Sequence, residues 1–475
     1  MNVLSLDLVN YITLNLHEKD IINLMETCKV FSQNIYIRCI YDVHKKFNDS
    51  VLERRILSKL QYINYHNCIL VQNKQLLNNI MYICVELKAT YLHVDFNKFH
   101  RLQKLDCSFS RSLTTVPIVP GLKELVCGNC RNLTDIPNIE GLQSLCCNNC
   151  PITSIPNIQG LQKLNCFGCK ELISIPVIEG LREIYCGNCD NLENIPIIHG
   201  LQKLDCHQCT TLTIIPYIER LQELFCNGCH SLTNIANIDG LEILNCNWCR
   251  SLTDIPAIEN MQALYCDDCP MITTIPNLKG LTKLYCSRNN SLTSISNIDD
   301  LQELHCNNCE SLTDIPNIRG LQKLYCYYCP QLLSIPNIQG LQILNCNNCN
   351  ELTEIPNIQG LKSLWCIQCN SLTTIPNIQG LESLSCSICD LLTDVPNITN
   401  LQRLDCGFCD SIVSIPNIEG LKELDCNSCH SLTDVPNIEG LEKFHCHDCP
   451  QLTSMPNVDG LQIYDYIERP ILTRS

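Results

Sequence analysis

No stretch of the chain approaches 18 uninterrupted apolar residues, so neither a membrane-spanning helix nor a membrane partner is expected. A secretory leader is not expected either. Met1 to Asn10 carries no basic segment, and Asp7 stands where an apolar core would run. That points to a reducing, cytoplasmic setting in which thiols stay free. Charged residues are scarce, 17% of 475, and unevenly placed. Residues 1–101 carry 12 Lys and Arg against 9 Asp and Glu, and the remainder carries 21 against 40, giving the net charge of −16. So acidic a surface lacks the basic footprint that phosphates need. A protein with basic character, not a nucleic acid, is the partner this field suits. Also absent are a Ser/His/Asp order, a phosphate-cradling glycine loop and a metalloprotease helix motif. No catalytic activity and no cofactor is therefore expected.

What the chain has in excess is repetition. From Leu102 the pattern L-x-x-L-x-C-x-x-C-x-x-L-T-x-I-P-N-I-x-G starts at Leu102, Leu122, Leu142 and Leu161, then every 20 residues to Leu441. Met261 is the one start that is not leucine, one residue is missing near Pro151, and an incomplete start at Leu461 loses the pattern after Tyr464. The L-x-x-L-x-C segment predicts a short strand with the second Leu and the Cys pointing inward, as at Leu164 and Cys166. The T-x-I-P-N-I segment is too short and too proline-rich for a helix. It should run extended or as a single turn, with Ile255 and Ile258 inward. Proline holds its position in 16 of 18 repeats, Ala236 and Ser296 being the exceptions. Glycine, as at Gly180 and Gly320, releases the chain into the next strand. One repeat cannot bury its own apolar face, but stacked repeats can, with parallel strands about 4.8 Å apart.

This pattern resembles the leucine-rich-repeat superfamily, in its short 20-residue class where I-P replaces a convex helix. It is most similar to the cysteine-rich members encoded in multiple copies by giant viruses of amoebae, which would place the protein in host-cell cytoplasm. The resemblance implies a leucine-rich-repeat solenoid over 102–460: a parallel β-sheet on the concave face and an extended or short-turn convex side. Residues 461–475 would form a C-terminal cap and tail. The motif is nearly silent on function, because one scaffold carries many partners.

Two columns hold 34 of the 39 cysteines. One runs from Cys107 through all eighteen repeats to Cys446. The other runs from Cys130 to Cys449 and is missing only at Ser110 and Asn289. Sixteen C-x-x-C motifs raise the idea of zinc. Their coincidence with inward positions favours core thiols over metal ligands or disulfides. The first column replaces an inward leucine. The second replaces the asparagine of the superfamily, whose place Asn289 keeps, and a thiol there can donate to the neighbouring repeat's backbone. No metal is expected.

The residue between the second Leu and the first Cys should point outward. Down that column, polar residues occupy both ends while aromatics gather in the middle at Tyr185, Phe225, Tyr265, Tyr285, Tyr325 and Trp365, with Tyr327 and Tyr328 thickening the run. These eight are the candidate contacts for a protein partner on the concave face, since exposed Tyr and Trp supply much of the energy of protein recognition. Two positions after the first Leu, Lys163, Glu183, Lys203, Glu223, Lys283, Glu303 and Lys323 mix signs, which mainly compensates charge along the stack. Among scattered histidines, only His445, His447, Asp448 and Cys449 form a group that could hold a metal.

Residues 1–101 lack the repeat. Leu6 to Leu16, Ile21 to Cys28 and Val30 to His44 read as helices, Asp20 capping the second. Leu4, Leu8, Ile12, Leu16, Asp20, Leu24, Cys28 and Phe31 resemble an F-box over 1–48. That small helical module docks a linker protein of cullin-type ubiquitin ligases, and Leu4, Leu8, Ile12, Leu16 and Leu24 would be its linker contacts. Ser5 departs from the family's proline, and its late tryptophan is absent. The alternative is a non-enzymatic structural or decoy interaction protein whose N-terminal segment serves only as a solenoid cap. Residues 49–101 read as a helical or irregular linker and N-terminal cap. Leu57, Leu60 and Ile63, then Leu76, Leu77, Ile80 and Ile83, stand near helical spacing, giving two short helices or one helix and an irregular repeat.

Overall fold

A computed structural model describes residues 62–65, 86–89 and 101–464. The chain forms two compact units. The first takes residues 1–212 with 218–221, and the second takes 213–217 with 222–475.

Each repeat contributes one three-residue strand whose middle residue points inward. In the first unit the strands β1 (Tyr62–Tyr65), β2 (Glu86–Ala89) and β3 (Lys104–Asp106) pair in parallel, Ile63 opposite Leu87 and Leu87 opposite Leu105. Strands then follow in step to Lys203–Asp205. In the second unit the parallel strands run from Glu223–Phe225 to Gln462–Tyr464 without a break in register. Ile63 therefore lies in a strand, while Leu57, Leu60, Leu76, Leu77, Ile80 and Ile83 lie outside the described residues. The pairing of β1 and β2 lets the sheet begin two strands before the first full repeat, and Leu102, Leu105 and Cys107 of that repeat are fully buried. The helices and linker contacts expected within 1–48 lie outside the described residues, as does 465–475.

Seven side chains per repeat face inward. In one repeat they are Leu321, Leu324, Cys326, Cys329, Leu332, Ile335 and Ile338, none more than 5% exposed. Burying each aliphatic side chain contributes roughly 1.5–3 kcal/mol, and the next repeat supplies the cover. The missing residue near Pro151 is absorbed in a surface turn, since Ile152 is as buried as Leu133 and Leu172.

The second cysteine column closes the interior. Cys189 Sγ donates to the carbonyl of Cys166, one repeat back, at 3.2 Å, and Cys329 Sγ does the same to Cys306 at 3.1 Å. The link recurs at Cys130, Cys249, Cys349 and Cys449. Asn289 makes it in its own way, its Nδ2 reaching the Cys266 carbonyl at 3.0 Å while its Oδ1 accepts the Cys269 N–H at 2.7 Å. Burial pushes the Cys309 and Cys409 thiols up to about 12, so they stay protonated donors.

Proline decides what the opposite edge can do. A second set of strands forms where Ile214–Ile215 pairs with Asn234–Ile235 and where Thr274–Ile275 pairs with Ser294–Ile295. These are the places where Ala236 and Ser296 replace proline. Each then has an N–H to give, to the Ile215 carbonyl and the Ile275 carbonyl, both at 3.0 Å. Elsewhere the proline lacks that donor and the edge forms isolated bridges or none.

The second x of C-x-x-C is left-handed in repeat after repeat. Asn, Asp and Gly take this conformation readily, but Trp248 (φ 61°), Tyr328 (φ 57°), Phe408 (φ 58°) and the β-branched Ile388 (φ 58°) hold it too. After the convex segment a second left-handed position falls on Gly320 at φ 89° and, among the repeats without glycine there, on Arg220, Asn260 and Asn400.

The thiol link is testable at Cys329. Cys329→Ala leaves the Cys306 carbonyl without its inter-repeat donor and should cost about 1–3 kcal/mol. Cys329→Asn should cost less, because Asn289 makes the same link at the equivalent position. Thermal unfolding of the two variants checks this, and an alanine variant more stable than the asparagine one contradicts it.

Candidate functional site: the outward strand face

The outward column lies half-buried on the face of the sheet, one residue per strand. What each residue does there follows from its chemistry. Every Asp and Asn of the column turns its oxygen onto the backbone N–H two residues ahead. Asp106, Asn165, Asp205, Asn245, Asn345, Asp405 and Asp425 accept from Ser108, Phe167, His207, Asn247, Asn347, Gly407 and Asn427, at 3.0 to 3.3 Å. These are Asx caps on the turn that leaves the strand. The polar ends of the column thus serve the fold.

The rungs from Tyr265 to Tyr325, and Trp365, give up that cap, and the preceding repeat replaces it. Beside Tyr265 the Asp267 N–H goes to Asn247 Oδ1 at 2.7 Å. Beside Tyr285 the Ser287 N–H goes to Asp267 Oδ1 at 2.6 Å. Ser287 Oγ and Asn307 Oδ1 then serve the amides beside His305 and Tyr325, and Asn347 Oδ1 serves Ile367 beside Trp365. A ladder of polar turn side chains therefore supports the aromatic rungs from behind.

In front of it the rings stack. Tyr265 and Tyr285 lie 5.0 Å apart, Tyr285 and His305 4.4 Å, and His305 and Tyr325 4.4 Å, all within 20° of parallel. Ring stacking at this spacing follows from strand spacing, because Cα atoms in register carry rings in register. His305 Nε2 sits 2.9 Å from Glu303 Oε1, which lies 3.4 Å from the Tyr285 hydroxyl. The His305 contact holds the Glu303 carboxyl below its ordinary value. His305 was not among the candidate contacts, yet it completes a four-ring stack. Its place in the aromatic column was the available signal.

The other candidates fall in different places. Phe225 and Trp365 belong to the same face of the second unit as Tyr265, Tyr285 and Tyr325. Tyr185 belongs to the first unit and is engaged by its neighbours: its hydroxyl donates to Glu183, and Lys163 Nζ lies 5.1 Å from its ring. Tyr327 and Tyr328 meet edge to face at 6.0 Å beyond the strand end, where Tyr328 is 53% exposed. Trp248 and Phe408, exposed at the position equivalent to Tyr328, were missed. The Asn residues at other copies of that position mark it as a turn.

Lys163–Glu183, Lys104–Glu124 and Lys443–Glu423 form ion pairs across adjacent strands at 2.6 to 2.8 Å. Being part-exposed, they contribute little beyond charge compensation. The group at His445 is drawn apart: its ring stacks on Tyr464, Asp448 lies 3.6 Å from His430, and Cys449 Sγ donates to the Cys426 carbonyl. Among the described residues no three His, Cys, Asp or Glu side chains gather as a metal site, and no helix is long and apolar enough to cross a membrane.

Asp267 carries a testable cost within the polar ladder. Burial pushes its carboxyl up, and the Ser287 N–H only partly offsets this. A carboxyl raised on folding costs stability while ionised, and the cost fades as pH falls through its folded value. Asp267→Asn keeps an acceptor and removes the charge. It should raise the thermal midpoint at neutral pH, with a gain that shrinks toward about pH 4. A gain independent of pH contradicts this account.

No protein-family model matches the chain, and no curated protein matches it. Among solved structures it is similar to YopM from Yersinia enterocolitica at 20% identity and a TM-score of 0.40, over 75% of this chain and 86% of that one. It is similar to a leucine-rich repeat protein from Bacteroides ovatus at 16% identity and a TM-score of 0.33, over 74% of this chain and 92% of that one. With a leucine-rich cell surface protein of Faecalibacterium prausnitzii the values are 16% and 0.26, over 69% and 80%. In its strands, its inward leucines and its 20-residue step, the fold is a leucine-rich-repeat solenoid.

Proposed function

We propose that the chain is a non-enzymatic protein-binding repeat protein whose partner docks on the outward strand face of the second unit, across Tyr265, Tyr285, His305, Tyr325 and Trp365. The observation that carries this reading is an exchange. On those rungs the residue that would cap its own turn is replaced by a half-exposed ring, and the cap is supplied from the preceding repeat. A run of rings rimmed by polar rungs has the anatomy of a protein interface.

Capture of partners from eukaryotic cell extract tests this. Trp365→Ala should weaken a captured partner by roughly 30-fold, while Gln379→Ala, an exposed change on the other side of the repeat, should leave it unchanged. Tyr325→Ala also loses its stack on His305 and should cost about 0.5–1.5 kcal/mol of stability besides. Trp365→Ala with full partner binding would move the site elsewhere.

The N-terminal residues support a further role as a substrate-recognition adaptor. The F-box-like order Leu4, Leu8, Ile12, Leu16 and Leu24 would dock a linker of a cullin-type ubiquitin ligase while the repeats hold the substrate. Co-purification of the full chain with such a linker is the check, and Leu8→Asp or Ile12→Asp should abolish it. An intact chain that fails to recover the linker reduces 1–48 to a solenoid cap.

A further inference from the structure

The ring stack stops at Tyr325, and the next rung is Asn345, followed by Trp365. Strand register puts Tyr325, Asn345 and Trp365 directly beside one another, so the two aromatic rungs stand about 9–10 Å apart. Asn345 does not fill that interval with a ring. Its Oδ1 is tied down to the Asn347 N–H at 3.2 Å, toward the turn. One repeat back, Tyr327 stands at the position from which Asn307 and Asn347 serve their neighbours, and Asn345 caps its own turn instead. A planar group laid over Asn345 would sit about 4.8 Å from each flanking ring, within the 4.4–5.0 Å range at which this ladder already stacks.

We propose that Tyr325, Asn345 and Trp365 form a slot that takes one aromatic side chain of a basic polypeptide segment. The inference rests on the outward face being the docking surface and names the chemistry of what docks there. Charge chooses between planar ligands. Residues 222–369 carry 14 Asp and Glu against 7 Lys and Arg, a field that repels the phosphates accompanying a nucleobase and attracts lysine or arginine beside an aromatic residue. The inserted ring continues the stack by one rung and joins Tyr325 to Trp365. Cationic neighbours of that ring gain from the net acidic charge of these repeats and from the faces of the tyrosines.

The chain has two tryptophans, Trp248 and Trp365, so a full-length Trp248→Phe protein reports on the slot through Trp365 emission alone. The probes are a short lysine peptide with one central tyrosine, the same peptide with leucine in place of tyrosine, and oligouridylate. The tyrosine peptide should shift or quench the emission and bind at least about tenfold more tightly than the leucine peptide. Asn345→Tyr fills the slot with the protein's own ring and should weaken the tyrosine peptide at least about tenfold. Because that change removes the cap on Asn347, it is paired with the double variant Asn345→Tyr, Tyr327→Asn, which returns an acceptor from the preceding repeat and should show the same loss with thermal stability restored. Equal binding of the leucine peptide, undiminished binding by the double variant, or unchanged emission at about 1 mM tyrosine peptide overturns the slot. Tighter binding of oligouridylate overturns it in favour of a nucleobase. A captured protein partner that needs Trp365 but tolerates Asn345→Tyr also refutes the slot, and leaves the docking face standing.

Discussion

A buried carbonyl sets the terms for the whole array. Where the chain leaves each strand, the carbonyl of the first cysteine points into the interior with two lone pairs to satisfy. One is met within the repeat, as when Cys169 N–H reaches the Cys166 carbonyl at 3.2 Å, and the other is met by the Cys189 thiol of the following repeat, also at 3.2 Å. A thiol suits this place because it packs as a small apolar group and still donates. A donor with a larger desolvation cost would have to satisfy more of its own groups, as Asn289 does with three hydrogen bonds. Satisfying the carbonyl across the repeat boundary means that no repeat is complete alone, so stacking is a condition of the fold as well as its energetic source.

With the interior fixed in this way, the outward column and the turn beyond it are free to vary, and along the aromatic run the two are linked. A column residue that caps its own turn cannot also be a ring. From Tyr265 to Tyr325, each ring follows a turn that offers an acceptor. The run Asn247, Asp267, Ser287 and Asn307 is that offer, and Tyr265, Tyr285, His305 and Tyr325 are the rings it permits. The aromatic patch is therefore a property of two neighbouring columns rather than of one.

Periodicity made the strands, the inward leucines and the thiol link legible, because each is repeated many times and each occupies an identical environment. Asn289 alone was enough to identify the second cysteine column with a donor position. What did not repeat was harder to read. Ile63 sits among residues at helical spacing but pairs in a strand with Leu87, and a four-residue strand leaves too short a pattern to tell the two apart. The site was legible as a list of outward rings but not as a stack. Sequence gives each residue's face, while ring orientation, the inclusion of His305 and the separate setting of Tyr185 depend on neighbours one repeat away. The left-handed turn that exposes Trp248 and Phe408 could have been inferred from the asparagines at equivalent positions.

The proline column has a consequence for how such a chain can change over generations. Proline removes one donor that would tie one repeat to the next along that edge, leaving adjacent repeats joined chiefly through the strands and a side-chain link that is a thiol at most boundaries and an amide at Asn289. A segment of 20 residues lost or duplicated by recombination between its near-identical neighbours would therefore meet matching partners on both sides. Ala236 and Ser296 mark two boundaries where a backbone tie at the proline position makes the exchange less neutral. Elsewhere the order of outward residues, and with it the pattern of rings and gaps offered to a partner, can be reshuffled as whole words, without rewriting the interior that carries them.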